Sequence, residues 1–115
     1  MKSGILFEQG EIIIVPFPFS DLSTIKQRPV LILSKNEYNN QTGDIITCGI
    51  TSNIKDAQCS ILLESNNLKE GVIPSISRIK VDKLFTIDKN LVKKKLAMID
   101  LSTFEKVKQE FSKLI

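Results

Sequence analysis

The sequence predicts a mostly β fold completed by one C-terminal helix. The first ground is a series of short runs rich in Ile, Val and Leu, each bounded by polar, Gly- or Asn-bearing segments. The second is a change of period in the tail. Leu101, Phe104, Val107, Phe111 and Leu114 recur three or four residues apart, as on one face of a helix.

Taken in order, residues 1–9 read as a lead-in from which Phe7 packs on the sheet. Strand one covers 11–17. Ile13, Val15 and Phe17 fall on one face and Ile12 and Ile14 on the other, so it is buried on two sides or curls through a small barrel. Pro16 and Pro18 lack N–H donors, which predicts that pairing ends or bulges there. Strand two covers 29–34, and 35–43 is a helical turn or loop closed by Gly43. Strand three, 44–51, reads DIITCGIT. Strand four covers 59–64, and 65–71 is a polar turn ending at Gly71. Strand five covers 74–81, and 93–98 adds a short strand. Ser102 and Glu105 have capping-box spacing at the start of the tail helix.

At 115 residues the chain is expected to form one domain, 1–115. No apolar run approaches the ~20 residues of a membrane span, and the first residues lack a signal-peptide core, so the expected location is cytoplasmic, away from membranes. The net charge of +3 permits nucleic-acid binding without demanding it. There is no histidine, which excludes His-based acid–base catalysis, Ser-His triads and most zinc sites. No metal or other cofactor is expected. Cys48 and Cys59 lie in apolar runs without metal-ligand spacing and read as reduced, buried thiols.

Of sixteen basic residues only Arg28 and Arg78 are arginine, so each invites a geometric reason. Arg28 precedes Pro29, which biases it toward extended backbone. That places a permanently charged, two-pronged donor where a polar loop enters a strand. A phosphate is one partner it suits; an ion pair with Asp21 or Glu37 is the plainer alternative. Arg78 and Lys80 share a face at strand period, able to track an RNA backbone or simply to face solvent. The run Lys93-Lys94-Lys95 reads as solvated surface.

Three stretches resemble the MazF/PemK family of ribonuclease toxins. They are Gly10-Glu11-Ile12 through Pro16-Phe17-Pro18-Phe19-Ser20-Asp21 to Arg28-Pro29-Val30-Leu31; the strand ending in Ile50-Thr51-Ser52; and Lys80-Val81-Asp82 followed by Thr86-Ile87-Asp88-Lys89. The resemblance implies an SH3-like, curled antiparallel barrel with a C-terminal helix. It implies a metal-independent endoribonuclease that cleaves single-stranded RNA, mRNA included, through attack of the 2′-hydroxyl. Arg28 and Thr51 would be catalytic, and Ser52, Lys80, Asp82, Phe19 and Gln27 would bind substrate. Lys80 stands where one branch of the family has arginine, a point charge in place of a fork. Phe17, Phe19 and Tyr38 are candidates for stacking on unpaired bases, though Phe17 reads rather as a core residue. The expected partners are a second copy of the chain and an acidic antitoxin that covers the groove; with the antitoxin, DNA binding is also implied.

Two rival readings stand beside this one. The same small barrel can bind RNA or protein without cutting, and a related barrel carries toxins directed at DNA gyrase. Cleavage of RNA separates both from the ribonuclease.

Overall fold

The computed structural model describes residues 5–18 and 25–115. Seven strands form one antiparallel sheet: β1 (Glu11–Pro18), β2 (Ile25–Ile32), β3 (Asp44–Thr51), β4 (Ser60–Leu63), β5 (Leu68–Gly71), β6 (Ser77–Asp88) and β7 (Lys94–Ile99). The spatial order is β4-β6-β3-β2-β1-β7-β5. Helix α1 (Asn36–Gln41) links β2 to β3, and helix α2 (Leu101–Ser112) follows β7. The expected curled antiparallel sheet with a terminal helix is the architecture found.

Alternation along β1 explains how the sheet serves two cores. Ile12 packs with Leu31, Ile50, Ile79 and Val81 under Phe104 and Val107 of α2. Its neighbour Ile13 packs on the opposite face with Val15, Val30, Ile32, Ile45 and Ile87. Ile12 and Ile13 are both fully buried, each burial contributing roughly 1.5–3 kcal/mol. A strand apolar on both faces therefore ends up covered on both.

The curl comes from irregular registers. On β6, Lys80 pairs with Gly49 but Leu84 pairs with Cys48, so residues 81–83 have no counterpart on β3. Such an insertion bends the strand sharply. Val81 is turned into the core, its N–H donating to the Cys59 carbonyl at 2.9 Å. A second shift lets β7 bend around β1 between Ile12 and Ile13. At the end of β5, Gly71 has φ +83, and a Cβ there would sit 2.3 Å from the Leu96 carbonyl oxygen. Only glycine fits that crossing.

Several boundaries differ from the sequence reading. β2 begins at Ile25, not 29, because pairing with β1 continues through Val15↔Arg28 and Phe17↔Lys26 to Pro18↔Ile25. Pro16 and Pro18 therefore do not end that pairing. Their missing donors fall where β1 no longer pairs with β7, whose register stops at Ile14↔Lys94. β5 occupies part of the expected polar turn, and β6 runs seven residues past the expected end of strand five. The cap of α2 is Asp100, whose side chain accepts from the Thr103 N–H at 2.8 Å, so Ser102 and Glu105 lie inside the helix. Leu101 is 84% exposed; the buried stripe is Thr103, Phe104 and Val107. Lys95 is not simply solvated either. Its ammonium pairs with the buried Glu11 carboxylate at 3.2 Å and donates to the Leu6 carbonyl, tying β7 to the N-terminal segment.

Candidate active site

The groove opens where β2 and β3 part. Their pairing runs from Ile32↔Thr47 to Val30↔Gly49 and stops. Two residues further on, the same register would set Arg28 opposite Thr51. The strands separate there, and both residues line a hollow of about 430 Å³. Arg28 is thus inside a strand, three residues past its start, and not at the strand entrance. It pairs with β1 through Val15↔Arg28, on the part of the hairpin that projects past the β2–β3 pairing.

The floor of the groove is apolar. Phe17 and Phe85 meet edge to face, and Val30, Ile50 and the bare backbone of Gly49 lie beside them. Cations stand around it: Arg28, Lys55, Lys80 and Lys83. The one carboxylate among the described lining residues is Asp56. An apolar floor ringed by cations suits a flat base below and a phosphate backbone above.

Thr51 ends β3 with a defined hydroxyl. Its Oγ1 accepts from the Asn53 N–H at 3.1 Å. A hydroxyl has one proton and two lone pairs, so this bond leaves the proton available to donate. Ser52 turns away from Thr51 and lines a second hollow, of about 260 Å³, with Lys26, Gln27, Ser75 and Ser77. Arg28, Pro29 and Ile50 border both hollows and form the ridge between them.

The residues singled out in the sequence are therefore placed as follows. Arg28, Thr51 and Lys80 meet at the larger groove, and Gln27 and Ser52 at the smaller one. Asp82 lines neither. The inserted residues 81–83 break the alternation that would set it beside Lys80, and Lys83 takes the groove position instead. Phe19 lies outside the described residues, as does Asp21. Tyr38 is on α1 and lines neither hollow, and Glu37 pairs with Lys35 at 3.5 Å. Arg78 is not a solvated or backbone-tracking cation: its side chain is 14% exposed and bound to the loop between β3 and β4. That loop supplies Asn53, Lys55, Asp56 and Ala57 to the groove. No sequence period points to it, because a loop has none.

The thiols take no part in the groove. Burial, followed by the nearby Asp82 carboxylate, pushes Cys48 up to about 12, so it stays a neutral thiol. Cys59 is partly exposed rather than buried, and has φ 59. Among the described residues no three His, Cys, Asp or Glu side chains converge as metal ligands. Nor is any described helix long and apolar enough to cross a membrane.

The sequence profile of the PemK-like, MazF-like toxins of type II toxin–antitoxin systems matches residues 8–115. The chain belongs to this toxin family. No curated protein sequence matches it. Among solved structures, the toxin fold is similar to an endoribonuclease from a mycobacterial species, at 15% identity and TM-score 0.77, over 97% of this chain and 93% of that one. It is similar to a MazE–MazF structure from Deinococcus radiodurans at 20% identity and TM-score 0.78, over 96% of each chain. A mycobacterial endoribonuclease in complex with its cognate antitoxin matches at 18% identity and TM-score 0.74, over 92% of this chain and 91% of that one. At these identities the likeness is one of fold. The PemK/MazF-like chain thus has the family's curled sheet, with Arg28 and Thr51 at the place where it opens.

Proposed function

We propose that this chain is a sequence-selective endoribonuclease toxin acting on single-stranded RNA, mRNA included. The observation that carries the reading is the placement of Arg28 and Thr51 in one groove with an aromatic floor and a ring of lysines. Family membership and the fold shared with endoribonucleases support it.

In the proposed reaction the 2′-oxygen attacks the adjacent phosphorus. The P–O2′ bond forms as the P–O5′ bond breaks; water takes the proton of the 2′-hydroxyl and supplies one to the departing 5′-oxygen. The products carry a 2′,3′-cyclic phosphate and a 5′-hydroxyl. Negative charge builds on the non-bridging oxygens, and donors already in place stabilise it without reorganisation. Arg28 presents such a fork, and the Thr51 hydroxyl donates one further bond. A guanidinium has only donors and no lone pair free to take a proton, so Arg28 acts as an electrostatic donor and not as the base. Lys80 and Lys83 hold the backbone through charge. No metal is assigned to the step.

The partners follow from the same reading. An acidic, flexible antitoxin segment would occupy the groove, consistent with the net charge of +3 and with the antitoxin complex of the mycobacterial neighbour. A second copy of the chain would cover apolar residues such as Leu84 and Leu101, which are 45% and 84% exposed.

The test is incubation of the purified chain with a long single-stranded RNA in excess chelator. Discrete fragments with cyclic-phosphate ends are expected. Retarded but uncut RNA would instead indicate a binding module, and inhibition of gyrase without RNA cleavage a gyrase-directed toxin.

A further inference from the structure

One guanidinium holds the loop that walls the groove. Arg78 on β6 stands opposite Thr51 on one side and Leu62 of β4 on the other. Its Nε–H donates to the Ile54 carbonyl at 3.2 Å, and its Nη1–H donates to Ser60 Oγ at 3.0 Å. Its Nη2 lies 3.5 Å from the Asp56 carboxylate. Ser60 Oγ in turn donates to the Ala57 carbonyl at 2.7 Å. Two of the guanidinium nitrogens thus hold the loop directly, and the third reaches it through Ser60 at the start of β4.

The other end of the loop hangs on Thr51. The Asn53 N–H donates to Thr51 Oγ1, and the Lys55 N–H donates to Asn53 Oδ1, both at 3.1 Å. A continuous set of bonds therefore runs from Arg78 through Ile54 and Asn53 to the Thr51 hydroxyl. Occupying one lone pair of that hydroxyl restricts where its proton can point. Three donors aimed in three directions require a planar fork; a lysine would supply charge at a single point.

We infer that Arg78 is a positioning residue for cleavage: it sets the 53–57 loop, and through it the direction of the Thr51 hydroxyl and the presentation of Lys55 and Asp56, without touching RNA. This rests on the ribonuclease reading and goes beyond it by assigning a role to a residue outside the groove.

The test is single-turnover cleavage as a function of protein concentration, with the cleavage sites on a long RNA mapped in parallel. The variants are Arg78→Ala, Arg78→Lys, Thr51→Val and the Thr51→Val/Arg78→Ala double. Displacement of a reacting group by a remote change typically costs about 10–100-fold in rate. Arg78→Ala is expected to lose that much at saturation, to cut at additional sites, and to add nothing to Thr51→Val. Arg78→Lys, which keeps the charge toward Asp56, guards against loss of folding in the alanine variant. It is expected to melt near the wild type and to recover only part of the rate. Additive losses in the double variant would overturn the inference, as would a raised half-saturation with the saturated rate unchanged. If the wild type cuts and Arg78→Ala and Arg78→Lys cut identically to it, the inference alone fails. If the wild type cuts no RNA, the ribonuclease reading fails and takes the inference with it.

Discussion

The rings of Phe17 and Phe85 meet edge to face, with centroids 4.6 Å apart and planes 80° apart, and join the end of β1 to the middle of β6 across the groove floor. Each ring fixes the other, so a base arriving from solvent meets a surface already in place. Base–aromatic stacking is worth about 1–3 kcal/mol per base. Phe85→Leu keeps apolar bulk against the core but removes the face. It is expected to weaken binding of a 2′-deoxy, uncleavable RNA analogue by about that amount in fluorescence anisotropy. An unchanged affinity would leave Phe85 a packing residue only.

Thr51→Val removes both the proton offered to the phosphate and the acceptor of the Asn53 N–H. The branched shape is kept, so β3 should fold. One lost bond to a charged group corresponds to roughly 10–100-fold in rate. Thr51→Ser, which retains the hydroxyl, should stay close to the wild type. Equal single-turnover rates for Thr51→Val and wild type would remove the hydroxyl from the reaction.

How much of this was legible depended on where the information lies. β3 has the expected bounds, 44–51, since an apolar run bounded by Gly43 and by Ser52-Asn53 states its own ends. β2 starts four residues before the expected 29. Lys26, Gln27 and Arg28 have no apolar pattern and are strand only because β1 pairs with them. β5, the sequence LKEG, is strand for the same reason, through β7. The groove shows the same division. Arg28 stood out because arginine is rare here and precedes proline, whereas Thr51 stood out only through family resemblance. Lys83 and the 53–57 loop were invisible. The first depends on an inserted stretch in β6, and the second on a guanidinium more than twenty residues further along the chain.

The two cysteines should be distinguishable without mutation. Cys48 is a buried neutral thiol, pushed up to about 12, and Cys59 is partly exposed. In native protein at neutral pH a thiol reagent is expected to label Cys59 first, and both only in denaturant, as read by mass spectrometry. A raised value in the fold adds stability below the unfolded value of 9.0 that is lost as pH rises toward 12. Cys48→Ala should therefore flatten the alkaline limb of the melting curve.

Asp100 gives the opposite sign. Its bond to Thr103 lowers its pKa from 3.8, so its carboxylate supports the fold above pH 3.8. That support is lost as the pH falls through the lower folded value. Asp100→Ala should lower the Tm at pH 7 by the loss of the α2 cap. The gap to wild type should narrow in acid. A gap independent of pH would show that the carboxylate charge is not what the cap supplies.

The central claim is that the Arg28 fork, more than the surrounding positive charge, stabilises the cleaved phosphate. Single-turnover cleavage by Arg28→Lys at saturating protein tests it most directly, with Lys83→Ala as the comparison at the same groove. A lost transition-state donor of this kind costs about 10²–10³ in rate. Arg28→Lys, which keeps the charge and loses the fork, is predicted to fall by that much while still binding the uncleavable RNA. Lys83→Ala is predicted to change chiefly the affinity and its dependence on salt. Cleavage by Arg28→Lys at the wild-type rate, or a loss in Lys83→Ala as deep as that expected of Arg28→Lys, would contradict the account.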